Sequence, residues 1–362
     1  MKKTISLLLS AVILCAVFLS GCGSSDSLTL NVYNWGEYIS DGSEGSFDTI
    51  REFELWYKET YGQSVKVNYD TYASNEDMYN KISSGAVSYD VIIPSDYMIA
   101  RMAQEDMLLP LDFANIPNYQ YIDEGFRGLY YDAENLYSVP YTYGVVGIIY
   151  NANVVDEADA RGWDLMWNDK YAGSILQFNN SRDAFATAQY KLDLDVNSTD
   201  TALWDKALAE LKAQAPLVKS YVMDEVYNMM ESGEAAVAPY YAGDYFTMLD
   251  AQAEDVDLRF YYPERTNYFV DAMCIPSCCQ NKEAAETFIN FLCKPEIAGG
   301  NMDYLGYGTP ETAAKEFMDP DVVASEVAYP SEETLSKGTS FLFLPASVNQ
   351  RMEELWLQAK TD

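Results

Sequence analysis

Histidine is missing from all 362 residues of this chain. That absence removes Ser–His and Cys–His nucleophile pairs, imidazole metal sites and the usual general base near neutral pH. Cations are scarce as well: 23 lysines and arginines stand against 56 aspartates and glutamates, a formal net charge of −33. Such a surface repels nucleic acid and anionic lipid, so neither is expected as a partner, and its field gathers cations instead. The sequence has no phosphate-binding glycine loop, no strained-nucleophile motif and no internal repeat, so no enzyme, cofactor or metal site is expected. Cysteine is sparse, with Cys274, Cys278, Cys279 and Cys293 crowded into one stretch of the C-terminal half. Their spacing fits no zinc pattern, and a bond between adjacent Cys278 and Cys279 would be strained. Buried free thiols are expected, with one disulfide involving Cys293 as the alternative.

Long apolar runs are absent except at the start. Lys2-Lys3 precede an apolar stretch from Ile5 to Leu19, too short for a spanning helix, and then Leu19-Ser20-Gly21-Cys22. This order resembles a bacterial lipoprotein signal. Residues 1–21 read as a removable signal peptide, Cys22 as the lipidated residue, and 22–27 as a flexible tether. The expected product is a cell-membrane lipoprotein on the extracytoplasmic face, attached to the membrane by its lipid alone. With 49% apolar and 14% aromatic residues, the remainder can bury two cores rather than one.

What is present is an alternation of strand and helix. Leu28, Leu30 and Val32 alternate as one buried strand face, and Val65–Tyr69 and Tyr89–Pro94 read as further strands. Between them, Phe47–Tyr61 is an amphipathic helix stopped by Gly62, and Asn75–Ser84 a helix capped by Ser74 and stopped by Gly85. This βαβαβ order predicts a parallel sheet with right-handed crossovers. A second unit runs through the Ile175–Phe178 strand, helices over Ser181–Leu192 and Thr201–Gln214, and an Ala235–Tyr240 strand. The extended stretches Val139–Asn151 and Tyr268–Ile275 read as crossings out and back. The expected fold is α/β with two discontinuous lobes: residues 28–141 with 268–308, and 142–267 with 309–362.

Aromatic rings and acids gather where strands end. Trp35-Gly36-Glu37-Tyr38 follows the first strand and Ser95-Asp96-Tyr97 follows the third. Ligands of open α/β sheets bind beyond those carboxyl ends. Rings with carboxylates suit a cationic, partly apolar ligand through cation–π attraction and charge-assisted hydrogen bonds. Asp271 lies between apolar residues in an extended stretch, where a buried acid without a cationic partner would be costly. Asp183 sits in a first helical turn, where it could serve the helix dipole, and Arg182 beside it could neutralise it.

Six segments occur together in one order: Trp35–Tyr38, Tyr89–Tyr97, Asn180–Asp183, Tyr241–Asp244, Phe269–Pro276 and Gly306–Pro310. In this the chain resembles the spermidine/putrescine-binding proteins of bacterial ABC transporters, over essentially its whole length after the leader. The resemblance implies a periplasmic-binding-protein-like fold of type II, monomeric, closing on a linear polyamine and delivering it to an ABC permease. It implies an aromatic box of Trp35, Tyr38, Tyr97, Tyr241, Phe269 and Tyr307. The implied acids are Glu37, Asp183 and Asp271, with Ser95 as a neutral partner and Asp96 and Asn180 completing the site.

The chain departs from the family pattern in several places. Asn180 stands where an aspartate is common, Asp183 is one methylene shorter than the usual glutamate, and Gly36 replaces a frequent threonine. Tyr241 and Phe269 stand for tryptophans, and no late glutamine matches near Phe341-Leu342-Phe343. Asp96, Asp224 and Asp244 are candidates for compensating charge. Two other functions fit parts of the pattern: a receptor for ferric iron held by Tyr240-Tyr241, and a glycosidase built on paired carboxylates.

Overall fold

The computed structural model describes residues 28–361, so the signal peptide, the tether and Cys22 lie outside the described residues. The chain opens with β1 (Leu28–Trp35), α1 (Thr49–Tyr61), β2 (Val65–Tyr72), α2 (Asn75–Ser83), β3 (Val91–Ile92) and α3 (Asp96–Gln104). Its caps are those the sequence offers. Asp48 accepts from the Arg51 N–H and Ser74 from the Asp77 N–H, while Gly62 ends α1 at φ 70°. β1 pairs in parallel with both β2 and β3, as the βαβαβ order requires. Both sheet faces are covered: Leu30 and Val32 point into a core with Phe53 and Phe288, while Tyr33 and Ile92 join Met98 and Met102 on the other side.

The long β4 (Ser138–Asn151), buried at every residue, then leaves this unit. β5 (Ile175–Phe178), α4 (Ser181–Lys191), α5 (Thr201–Gln214), β6 (Val218–Val222), α6 (Glu225–Glu231), β7 (Val237–Tyr241), α7 (Asp244–Ala251) and β8 (Leu258–Tyr261) build the second body. Its core includes Phe178, Trp204 and Trp356. β9 (Thr266–Cys274) returns, followed by α8 (Lys282–Leu292) and α9 (Pro295–Leu305). The main path of the sheet runs β2-β1-β3-β9-β4-β7-β5-β6. β4 is the shared piece: Ser138–Val145 pair with β9, and Val146–Tyr150 with β7.

Past Gly308 the chain divides. Met318 and Tyr329 pack against the first-half cores, the Tyr262 hydroxyl donates to the Val327 carbonyl at 2.6 Å, and from Phe341 onward, through the C-terminal helix Ala346–Thr361, the chain packs into the second core. The sequence gives no periodic signal for that short return, and 309–362 reads there as one piece. Cys274, Cys278, Cys279 and Cys293 are all free thiols, with Cys274 and Cys293 buried. Among the described residues no helix is long and apolar enough to cross a membrane.

Candidate functional site

The first lobe contributes strand ends. Trp35 closes β1, its indole N–H donating to the Ile93 carbonyl at 3.0 Å and its ring 4.7 Å from that of Tyr72. The chain turns through Glu37, whose backbone is left-handed at φ 46°. Tyr38 then drops back into the interior, and its hydroxyl donates to Asp271 Oδ2 at 2.6 Å. Asp271 lies on β9, its backbone bridged to Ser95. It is 3% exposed, and Oδ1 has no hydrogen-bond partner. Burial pushes its carboxyl up to about 6 and the nearby Asp183 charge adds to that, against lowering by Tyr38 and Ser95. Relative to the unfolded chain, carrying this charge buried costs the empty protein about 3 kcal/mol, at 1.36 kcal/mol per unit.

Phe269, two residues earlier on β9, faces the same way. A Cβ on Gly144 would come within 2.7 Å of Phe269 Cζ, so the bare backbone of β4 is what admits the ring. Tyr307 follows the left-handed C-cap Gly306, and its ring stands 5.5 Å from Tyr38 and 6.3 Å from Phe269. At the start of α3, the Tyr97 hydroxyl donates to Glu76 Oε1 at 2.9 Å and accepts from Asn75 Nδ2 at 3.2 Å. Asn75 Nδ2 also donates to Ser95 Oγ at 3.0 Å. Asp96, 1% exposed, accepts from the Tyr97 N–H through Oδ1 and has no partner at Oδ2. Burial holds its carboxyl well above the usual range.

The second lobe contributes helix starts. Asp183 lies in the first turn of α4, where it accepts from the Tyr241 hydroxyl at 3.0 Å. Burial raises its carboxyl. The Tyr241 ring meets Phe269 edge-on at 5.5 Å, joining the two lobes. Asp244 opens α7, and burial pushes it up to about 7 although Tyr227 and Tyr307 hydrogen-bond to it. Arg182 is 2% exposed and makes no ion pair with Asp183 among the described residues. Its Nη2 donates to Asn197 Oδ1 at 2.8 Å and to the Leu342 carbonyl at 3.3 Å, and its guanidinium lies 4.6 Å over the Phe341 ring. It fastens the returning segment, and its charge also lowers the Asp183 carboxyl in part, against the burial that raises it.

These groups line a cleft between the lobes whose cavity volume is about 50 Å³. Trp35, Tyr38, Ser95, Asp96, Tyr97, Asp183, Tyr241, Phe269, Asp271 and Tyr307 all line it. Glu37 and Asn180 do not. Glu37 is exposed outside the lining, on the turn that sends Tyr38 inward. Asn180 caps α4: its Oδ1 accepts the Asp183 N–H at 2.8 Å, one of the donors every helix start leaves open. Asn75, Met223, Tyr227, Tyr240, Asn267 and Phe341 also line the space; of these the sequence singles out only Tyr240, and that as an iron ligand. For Tyr227 the available signal was its place three residues after Asp224 on one helix face. Asp224 and Asp244, read as reserve charges, are both in the lining. The result is an aromatic chamber with several desolvated carboxylates and unused acceptor oxygens, a setting that favours a cation with an apolar body.

The family described as bacterial extracellular solute-binding proteins matches residues 49–331. A spermidine/putrescine-binding periplasmic protein of Salmonella typhimurium is 33% identical over 342 residues, covering 93% of each chain. A spermidine/putrescine ABC transporter substrate-binding protein of Streptococcus pneumoniae superposes with a TM-score of 0.74 at 34% identity, covering 92% of this chain and 99% of that one. The TpPotD lipoprotein of Treponema pallidum superposes at 0.77 with 27% identity, covering 92% and 100%. The architecture of this chain is the two-lobed periplasmic-binding-protein fold of these relatives. With most of its length matched by the family and a third of its residues identical to a full-length relative, this chain belongs to the bacterial extracellular solute-binding proteins.

Proposed function

We propose that this protein captures a linear polyamine of the putrescine or spermidine kind between its lobes and hands it to an ABC permease. The observation that carries the reading is Asp271: a carboxylate 3% exposed, with one oxygen unpartnered, facing an aromatic chamber. An ammonium group there would replace the missing partner, while Trp35, Tyr38, Tyr97, Tyr241, Phe269 and Tyr307 would cover the methylenes. Asp183, Asp96 and Ser95 complete the proposed site, with Glu37 as a charge at its rim. The names of the relatives, which bind spermidine and putrescine, support the same class of ligand. Closure would join 28–141 and 268–308 to the body made mainly by 142–267. The protein is proposed to act as a monomer, held to the extracytoplasmic face by lipid on Cys22. Neither alternative gains support: among the described residues no group of three or more acidic or cysteine side chains gathers to hold a metal, and the relatives are carriers.

Thermal unfolding with added ligands tests the reading. A polyamine at a hundred times its dissociation constant should stabilise the fold by about 2.7 kcal/mol. A rise in Tm with sugars or amino acids, and none with putrescine, spermidine or spermine, would overturn it. For the anchor, Cys22→Ser should leave the protein in the soluble fraction with ligand affinity unchanged.

A further inference from the structure

One contact across the cleft depends on a missing atom. Gly36 follows Trp35 on the first lobe, and a Cβ built there would stand 2.5 Å from Asp224 Oδ2 of the second lobe. No ordinary contact is that short, so the Asp224 carboxylate occupies room that any other residue at 36 would take. Asp224 sits at the N-terminal boundary of α6, yet its side chain caps no backbone N–H, leaving its oxygens free of that duty. It lines the same chamber as Asp244, and the charges of Asp224 and Glu37 both bear on Asp244. Tyr38 links this end to the other, feeling both Asp271 and Asp244. The chamber therefore has two acidic ends: Asp271 with Asp183, and Asp244 with Asp224. An independent sign that the chamber is built for a ligand is the unpartnered Oδ1 of the buried Asp271.

We infer that Asp224, admitted by Gly36, is a specificity-determining residue that seats the second ammonium of a diammonium ligand and so couples lobe closure to ligands charged at both ends. This rests on the polyamine reading and deepens it. One ammonium lies at Asp271 and Asp183, and the methylenes run past Tyr38, Phe269 and Tyr307. The other ammonium reaches Asp244 and Asp224, which come from the opposite lobe to Gly36. A monoamine of equal length satisfies the first end and leaves Asp224 beside Gly36 without a counter-charge, so closure gains less from it.

Calorimetry with putrescine and with butylamine, on the parent, Asp224→Asn, Gly36→Ala and the double variant, tests this. Asp224 is exposed at the rim, so Asp224→Asn should weaken putrescine three- to tenfold and butylamine by less than twofold. Gly36→Ala, whose methyl displaces only the mobile end of Asp224, should weaken putrescine three- to tenfold. In the double variant the glycine change should have no further effect, because the carboxylate it displaces is gone. Unchanged thermal unfolding of the empty variants is the control for folding. Putrescine binding within twofold of the parent in Asp224→Asn, equal losses for both amines, or multiplying losses in the double variant would each overturn the inference while leaving the polyamine reading intact. A parent that binds no di- or polyamine would overturn both.

Discussion

The two lobes supply the same chemistry by different means. In the first, Asp271 is set into an interior strand, its backbone committed to sheet pairing and its side chain committed to Tyr38. In the second, Asp183 and Asp244 stand at the starts of helices, where the macrodipole favours a negative charge. The strand acid lacks helix support and leaves one oxygen idle, and its charge is costly in the empty state, as is that of Asp244, which burial pushes higher still. Asp183, held by the Tyr241 hydroxyl and offset by the Arg182 charge, is better supported without ligand, so removing it should cost less.

Asp271→Asn is the sharpest way to break that contrast. Affinity for the bound polyamine should fall by about 2–5 kcal/mol, the range for truncating a buried charge pair. The same variant should melt higher than the parent when empty, because the cost of the buried charge is gone. Calorimetry and thermal scans read both effects. A variant that binds as well as the parent, or that is destabilised when empty, would show Asp271 to be an ordinary structural acid.

Acidity acts on both lobes together. Asp271 titrates near 6 and Asp244 near 7 in the empty protein, both above their unfolded values. A raised carboxyl makes the folded state bind the proton more tightly, so the empty protein should gain stability as pH falls from about 8 towards 4. Ligand binding needs both groups ionised, so affinity should weaken over the same fall, approaching a hundredfold per pH unit below about 6. Heats measured in buffers of different ionisation enthalpy should show protons released on binding at pH 6. Affinity independent of pH from 8 to 5 would remove these acids from the site.

Smaller effects separate the lobes further. Asp183→Asn should cost about 1.5–3 kcal/mol of binding, the scale of a charged hydrogen bond. A loss as large as that of Asp271→Asn would erase the distinction between strand and helix acids. Phe269→Leu stays apolar but shortens the wall against the methylenes, and should cost about 1 kcal/mol of apolar contact. Asn180→Asp should change affinity least, by under twofold, since that side chain serves the α4 backbone. Asn180→Ala should instead lower fold stability by about 0.5–2 kcal/mol, the value of a helix cap.

The parts legible in the sequence were those governed by nearest neighbours. Leu30 and Val32 announce a strand with one buried face, though not that Tyr33 packs into a second core behind it, and Ser74 with Asp77 announces a helix start. Asp271 was legible too, because an acid between Val270 and Ala272 in an extended run has few explanations. Glu37 and Asn180 fall outside the lining, although each lies inside an informative motif. Glu37 turns outward through a left-handed φ that residue type does not announce, whereas the capping bond of Asn180 to the Asp183 N–H follows the same pattern as Ser74 with Asp77 and was open to the same reading. Phe341 and Asn75 reach the site from distant segments, held by Arg182 beneath one and by the turn after Tyr72 at the other. Their roles arise from tertiary contact alone.

The divided pairing of β4 bears on how the molecule comes apart. One strand gives seven of its first eight residues to β9, with a shift at Tyr141, and its next five to β7, so the two bodies have a hydrogen-bonded strand in common. Melting either body frees an edge of that strand and strips support from the other. Denaturant should therefore unfold the two in a single cooperative transition, with near-ultraviolet and far-ultraviolet signals superimposing, despite a length at which independent domains are the rule.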